Sequence, residues 1–334
     1  MLARRPLLLI ALLMLLPLIW LAALAWPEPG RPATTELVRL RNALLIAPSV
    51  QQDFDWLPQQ RPTSFLIDSA PLPQPMQQWL DQLPAQPNDW QQILSLVEHL
   101  RAKGYKGGAL QSSTLNSFEQ IISDGSGYCA DYIQVINALA PAAGLSVREW
   151  GMSFDGFGGW GHAFSEFYSQ HLNKWVFVDV FNGFYSTRLD DSTPLSVAEF
   201  RLMLEQAPDS IQFHPLQQGR IRMQLPDKAL NYYLRGKDQF YLWWGTNPLT
   251  FDNHPLISHA GRTSRSLEQL SATLLGLHPR IKIITHPENQ HSVASMVSIK
   301  WQLFAICLME LLLLLLAVWQ WRKKRNYQPR GYRL

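Results

Sequence analysis

Cysteine is almost absent from this chain: 334 residues contain only Cys129 and Cys307. Cys307 falls in a long apolar run near the C-terminus, so Cys129 has no soluble thiol partner and a disulfide framework is excluded. Acid is absent from both terminal tails. Arg4, Arg5, Arg322, Lys323, Lys324, Arg325, Arg330 and Arg333 supply eight positive charges, so a formal net charge of +3 leaves −5 for everything between the tails. The basic pI therefore reflects the tails and not a nucleic-acid surface, and no nucleic-acid partner is expected. Internal repeats and long low-complexity tracts are also missing. What remains conspicuous is one thiol that is either a packed small apolar side chain or a thiol put to use.

The hydrophobic runs give the topology. Residues 6–26 form a nearly unbroken apolar segment of the length that crosses a bilayer. Ala23-Leu24-Ala25 resembles a cleavage site, so the segment is either a retained anchor or a removed signal peptide; its length favours retention. A second span, residues 301–321, carries Trp301, Trp319 and Trp321 at its ends. Basic residues flank both spans on the outer side of the sequence, at 1–5 and 322–334. The expectation is a protein of the inner (plasma) membrane with both termini cytoplasmic and the middle periplasmic or extracellular. Glu310 sits inside the second span, where a carboxylate costs about 2.5–3.5 kcal/mol. It is either protonated or paired with a partner helix.

Between the spans, residues 27–74 read as a stalk or peripheral region, 75–245 as the main domain and 246–300 as a membrane-proximal region. Helical stretches are expected at Thr35–Leu45, after an Asn88 cap, at Ser196–Gln206 and at Arg265–Leu275, with short strands at Gln239–Trp244 and Arg280–Thr285.

Chemistry concentrates in residues 118–185. Asp124-Gly125-Ser126-Gly127 is a turn, and Cys129 to Ala140 follows in helical register. Cys129 is thus expected at a helix N-terminus, where unpaired N–H groups and the macrodipole favour negative charge. Val147–Met152 alternates as a strand. A glycine-rich loop over residues 155–161 then leads to His162, and residues 162–168 and 174–180 read as a β-hairpin. Pairing Tyr168 with Asn173 sets Glu166 opposite Trp175, Phe164 opposite Phe177 and His162 opposite Asp179. Opposed residues share a face, so this register joins imidazole to carboxylate.

Gly127-Tyr128-Cys129-Ala130-Asp131-Tyr132, Gly161-His162-Ala163-Phe164-Ser165-Glu166 and Trp175-Val176-Phe177-Val178-Asp179 resemble the transglutaminase-like superfamily, the circularly rearranged relatives of papain. The likeness is close over residues 118–185 and looser beyond. Phe164 stands where the family usually has tryptophan, and Pro141 departs from the pattern by removing a donor near the end of the cysteine helix.

The resemblance implies an α+β fold, with the cysteine helix packed on an antiparallel sheet and, here, two transmembrane helices flanking it. It implies a Cys129–His162–Asp179 triad that forms a thioester from an amide or acyl substrate, such as a protein or peptide-containing envelope component. Cys129 N–H would serve the oxyanion, and the second donor is left open. Hydrolysis is slightly favoured over acyl transfer, because bacterial members resemble peptidases and no calcium-site pattern is present. No cofactor or metal is called for; a zinc site lacks a second thiol or paired histidine. Tyr128, Trp160 and Glu166 are candidate cleft residues, with ordinary packing as the alternative. The competing function is a triad-bearing module that is catalytically idle and serves as a scaffold in an envelope complex.

Overall fold

Proline shapes the N-terminal apolar run. In the computed structural model, which describes residues 5–27, 33–216, 223 and 225–326, that run is two helices, α1 (Arg5–Leu13) and α2 (Leu15–Leu24). Pro17 cannot donate to the Leu13 carbonyl and its ring crowds that group, so the helix is interrupted at Met14. A third helix, α3 (Ala33–Leu45), follows. Arg4 and the basic tail beyond Asn326 lie outside the described residues.

The chain divides into two compact units, Met1–Leu44 with His291–Leu334, and Leu45–Gln290. The second is an α+β unit. It contains, in order, β1 (Ile46–Ala47), β2 (Leu66–Ile67), α4 (Gln74–Asp81), α5 (Asp89–Leu100), α6 (Thr114–Asp124), α7 (Cys129–Ala142) and β3 (Ser146–Ser153). There follow β4 (Gly161–Ser169), β5 (Lys174–Asp179), β6 (Phe184–Arg188), α8 (Val197–Gln206), β7 (Ile211–Pro215) and α9 (Pro226–Leu234). The unit closes with β8 (Phe240–Trp243), β9 (Gly245–Thr246), α10 (Pro248–Asn253), α11 (Pro255–Gly261), α12 (Arg265–Leu274) and β10 (Ile281–Ile283).

Eight strands form one mixed sheet in the order β1-β10-β8-β3-β4-β5-β6-β7, and β2 pairs with β9 separately. In the large sheet β1 and β10 run parallel, and every other neighbouring pair is antiparallel. Both faces are covered. Val147, Phe167, Val176 and Val178 pack with Ile133, Ile136 and Leu139 of α7 and with α5 and α6. Trp150, Phe164, Phe177 and Phe184 pack on the other side with Phe200 of α8 and Tyr233 of α9. A strand buried on both faces has no polar side, which is why β5 reads as a continuous apolar run instead of alternating.

The piece expected to be a stalk belongs largely to this unit. Phe54, Trp56 and Phe65 are buried in the second core, and Trp56 meets Trp175 edge-on at 5.3 Å between ring centroids. Large aromatic side chains can dock irregular chain without a regular element to carry them. The region read as membrane-proximal supplies α10 to α12 and β10 of this unit.

Glu166 lies in the same buried layer. Its Oε2 accepts from Arg148 Nε at 3.0 Å and Trp150 Nε1 at 2.8 Å, and its Oε1 accepts from the Val197 N–H that opens α8 at 2.9 Å. Arg148 also donates to the Phe54 carbonyl at 2.9 Å and lies 3.9 Å from the Trp175 ring centroid. Glu166 therefore ties β3, β4, α8 and the Phe54 segment together.

The last helix, α13 (Gln290–Asn326), makes up nearly all of the one helical segment among the described residues long and apolar enough to cross a membrane, Pro287–Lys323. The N-terminal apolar helix over Leu8–Leu24 is shorter than that. Within the first unit, Trp20 Nε1 donates to Gln302 Oε1 at 3.1 Å.

Removing one partner of a buried ion pair strands the other, at a cost of about 3–5 kcal/mol. Glu166→Gln is expected to lower the unfolding free energy of the solubilised full-length protein by about that much, measured by urea titration. A change below about 1 kcal/mol, the range of an exposed pair, would show that the pair does not hold these elements together.

Candidate active site

Two glycines and a carboxylate build the start of α7. Gly125 ends α6 in the left-handed region (φ 74°), with its N–H on the Ile121 carbonyl; a Cβ there would stand 2.6 Å from the Gly104 carbonyl oxygen. Gly127 has φ 128°, a value side-chain-bearing residues rarely adopt. Tyr128 is the extended N-cap, and Asp131 in the first turn accepts its N–H at 2.8 Å. Asp131 also takes the Leu110 and Gln111 N–H groups, each at 3.2 Å, which fixes the preceding loop against the helix. Cys129 is the first helical residue, half-buried, and no acceptor among the described residues takes its backbone N–H. Pro141 does not break the helix. It falls in the last turn, after which the chain leaves through Gly144 at φ 76°.

The hairpin forms in a register two residues from the expected one. Tyr168 pairs with Trp175, Glu166 with Phe177 and Ser165 with Val178. Asn173 explains the shift: it adopts φ 50° and accepts from the Tyr168 hydroxyl at 2.9 Å, so it serves the turn and not the ladder. A slip of two preserves the face of every side chain. Continuing the register sets Asp179 across from Phe164, with His162 on the diagonal, which is still within reach of long side chains. The contact survives: His162 Nε2 and Asp179 Oδ2 are 2.7 Å apart, both groups buried.

The Cys129 thiol neighbours the imidazole as one of the groups that favour its charged form. Cys129, His162 and Asp179 are thereby brought together at one place in the fold.

Asn182 and Tyr233 complete the array. Asn182 donates from Nδ2 to Asp179 Oδ2 at 2.7 Å and from its backbone N–H to Oδ1 at 2.8 Å, and its amide lies 3.2 Å from His162 Nε2. The Tyr233 hydroxyl on α9 donates to the same Oδ2. Asp179 thus both caps the 179–183 turn and orients the histidine. A motif such as Asp-x-x-Asn-Gly marks the turn, whereas Tyr233 is 54 residues away in sequence. Arg101, almost fully buried, donates to the Val180 carbonyl at 2.6 Å and to that of Phe181, fixing the turn from behind.

Electrostatics follow from this geometry. Burial alone would lower the pKa of His162, but the Asp179 charge, with help from Tyr232 and the hydrogen bonds to Asp179 and Cys129, raises it well above 6.5. Burial alone would raise that of Asp179; the His162 charge and hydrogen bond, with donors Asn182 and Tyr233, hold it below the usual carboxylate value. Burial and the neighbouring Asp179 charge push Tyr233 well above 10, so it remains a donor. Phe164, Phe181, Tyr232 and Tyr233 surround the imidazole at 5.5–6.1 Å between centroids.

Tyr128 and Trp160 are exposed beside the array, one preceding the cysteine and one preceding the histidine strand. The Trp160 N–H is held by Asp155 Oδ2 at 3.3 Å, and Asp155 Oδ1 accepts from Gly158 N–H at 3.0 Å, so the glycine-rich loop has a fixed course. No group of three or more metal-ligating side chains occurs among the described residues. No family model matches this chain, and no match is found among curated proteins or solved structures.

A histidine favoured as the cation gives stability that is complete below pH 6.5, its unfolded value, and lost as pH rises through the higher folded value. Asp179→Asn leaves burial as the main influence, and the sign inverts: charge on His162 then opposes folding. The stability gap between wild type and Asp179→Asn is expected to narrow from about pH 6 to 9, read from urea midpoints alongside the His162 NMR titration. A gap independent of pH would contradict this account of the pair.

Proposed function

We propose that this chain is a membrane-anchored, transglutaminase-like cysteine enzyme that breaks amide or related acyl bonds through a thioester on Cys129. The observation that carries the reading is a buried imidazole held by a multiply hydrogen-bonded Asp179, with the Cys129 thiol at the start of α7 among the groups that favour its charged form.

His162 holds the Cys129 proton as an imidazolium, and the thiolate sulfur attacks the substrate carbonyl carbon. The carbonyl oxygen gains the electron pair and is met by the Cys129 N–H at the positive end of α7. Collapse expels the amine, which takes the proton from His162 and leaves a thioester. Water, the favoured second nucleophile, gives a proton to His162 and attacks; the thiol departs with that proton and the acid is released. An amine in place of water would give transfer. Asp179 keeps its charge throughout and stabilises the imidazolium.

Tyr128 and Trp160 flank the thiol as candidate substrate contacts. The α13 segment would anchor the enzyme in the inner (plasma) membrane. Both termini would be cytoplasmic if the N-terminal segment is retained, with the catalytic unit periplasmic or extracellular and acting on peptide-containing envelope material. Glu310 would serve a partner helix in the same bilayer: its Oε1 is buried without a hydrogen-bond partner.

A thiol-directed acyl probe is expected to label the wild type and not Cys129→Ala, with Cys307 contributing equally to the background of both. His162→Ala should slow labelling by about 10²–10⁴-fold, the usual worth of a general acid–base. Labelling of a folded wild type no greater than that of Cys129→Ala would remove the enzyme reading in favour of an idle scaffold module. For the partner helix, Glu310→Leu is expected to abolish a crosslinked complex seen with wild type in native membranes; an unchanged crosslinking pattern would rule it out.

A further inference from the structure

Helix α12 wears its polarity inside out. Leu267, Leu270 and Leu274 follow one another at three- and four-residue spacing on one stripe, and all are exposed, Leu274 to 79%. Leu275 and, from α11, Leu256 are exposed as well. The opposite side of α12 is the one that packs inward, and apart from buried Ala272 it is polar: Gln269 Oε1 meets His278 Nε2 at 2.8 Å, and Glu268 pairs with Arg265. A surface helix of a globular protein normally does the reverse. Contiguous exposed leucines of this kind mark a face that something covers.

Charge distinguishes the occupants. Arg262, at the C-terminal end of α11, and Arg280 are both exposed. Neither has an ion-pair partner among the described residues, whereas Arg265 is paired with Glu268 and Lys282 with Asp53. Arg262 precedes α12 and Arg280 follows it, so the leucine-bearing helix is flanked by cations on a chain whose net charge between the tails is −5. A second copy meeting the same patch about a two-fold axis would set cation against cation. An anionic bilayer surface satisfies both features, since it takes apolar side chains at the acyl boundary and guanidinium groups at the headgroups. The tether is short as well. Eleven residues lie between Leu275 and Pro287, where the helical segment that runs to Lys323 begins, and that length spans at most about 40 Å.

We propose that the exposed leucine face of α11 and α12 is a lipid-docking surface that lies on anionic headgroups of the membrane entered by α13. The proposal rests on reading α13 as a membrane anchor. Docking would limit how far the unit carrying Cys129 swings from the bilayer and would favour substrates held close to it.

The test uses the full-length chain in vesicles of phosphatidylethanolamine and phosphatidylglycerol containing chain-brominated lipid. Leu270→Cys, and Leu202→Cys on α8 as a reference, are each placed in a Cys129→Ala, Cys307→Ala background and labelled with an environment-sensitive fluorophore. The label at 270 is expected to be quenched about threefold more than that at 202, and less when phosphatidylcholine replaces the anionic lipid or when Arg262→Glu is added. Equal quenching at 270 and 202, in protein that resists alkaline extraction, would overturn docking while leaving the anchor intact. Self-quenching that grows with protein density and ignores brominated lipid would overturn it in favour of a second copy. Release of the protein by alkaline extraction would overturn the anchor reading and docking together.

Discussion

The carboxylate of Asp179 sits where water does not reach it, and much of the architecture answers to that fact. An ion brought from water into a protein interior loses several kcal/mol of solvation. Asp179 recovers this through the His162 ring, two donors from Asn182 and the Tyr233 hydroxyl. Each donor places a demand on the fold. Asn182 requires the chain to turn at once after β5, Tyr233 requires α9 to lie against that face of the sheet, and Arg101 holds the turn by its carbonyls. Loss of any one leaves a buried acceptor short of a partner, which is why such an array is either complete or costly.

The sequence was most legible where a local rule sufficed. The Asn88 cap, the helix beginning at Cys129, the two strands after the glycine loop and the capped helix after Ser196 all appear within a residue or two of expectation. The hairpin face was legible but its register was not, because Asn173 could serve as strand or turn and only its left-handed backbone decides. Parity protected the conclusion: a shift of two kept His162 and Asp179 on one face, where a shift of one would have parted them.

Less could be read where partners come from afar. Phe54, Trp56 and Phe65 lie in irregular chain, so no period announces that they belong to the core. Glu166 could be read as a cleft residue or a packed one, because its counter-charge Arg148 is on the neighbouring strand and invisible to spacing along one segment. Tyr233 lies beyond the reach of any motif for the same reason. Pro141 sits in the final turn of α7, which ends at Ala142, so its departure from the pattern stays confined to the helix end.

Antiparallel pairing explains why the three groups can converge at all. His162 opens β4 and Asp179 closes β5, so the two strands deliver them to the same end of the sheet. The N-terminus of α7 delivers Cys129 there too. Because helices or irregular chain cover both faces of the sheet, a substrate of the proposed enzyme has to approach along this end, past the loop that carries Trp160 and the cap residue Tyr128. Those two side chains are exposed and contribute little to either core, whereas the histidine and aspartate are locked by packing. Specificity can therefore change at the loop and the cap without disturbing the buried array, the usual division between a rigid scaffold and the loops that present function.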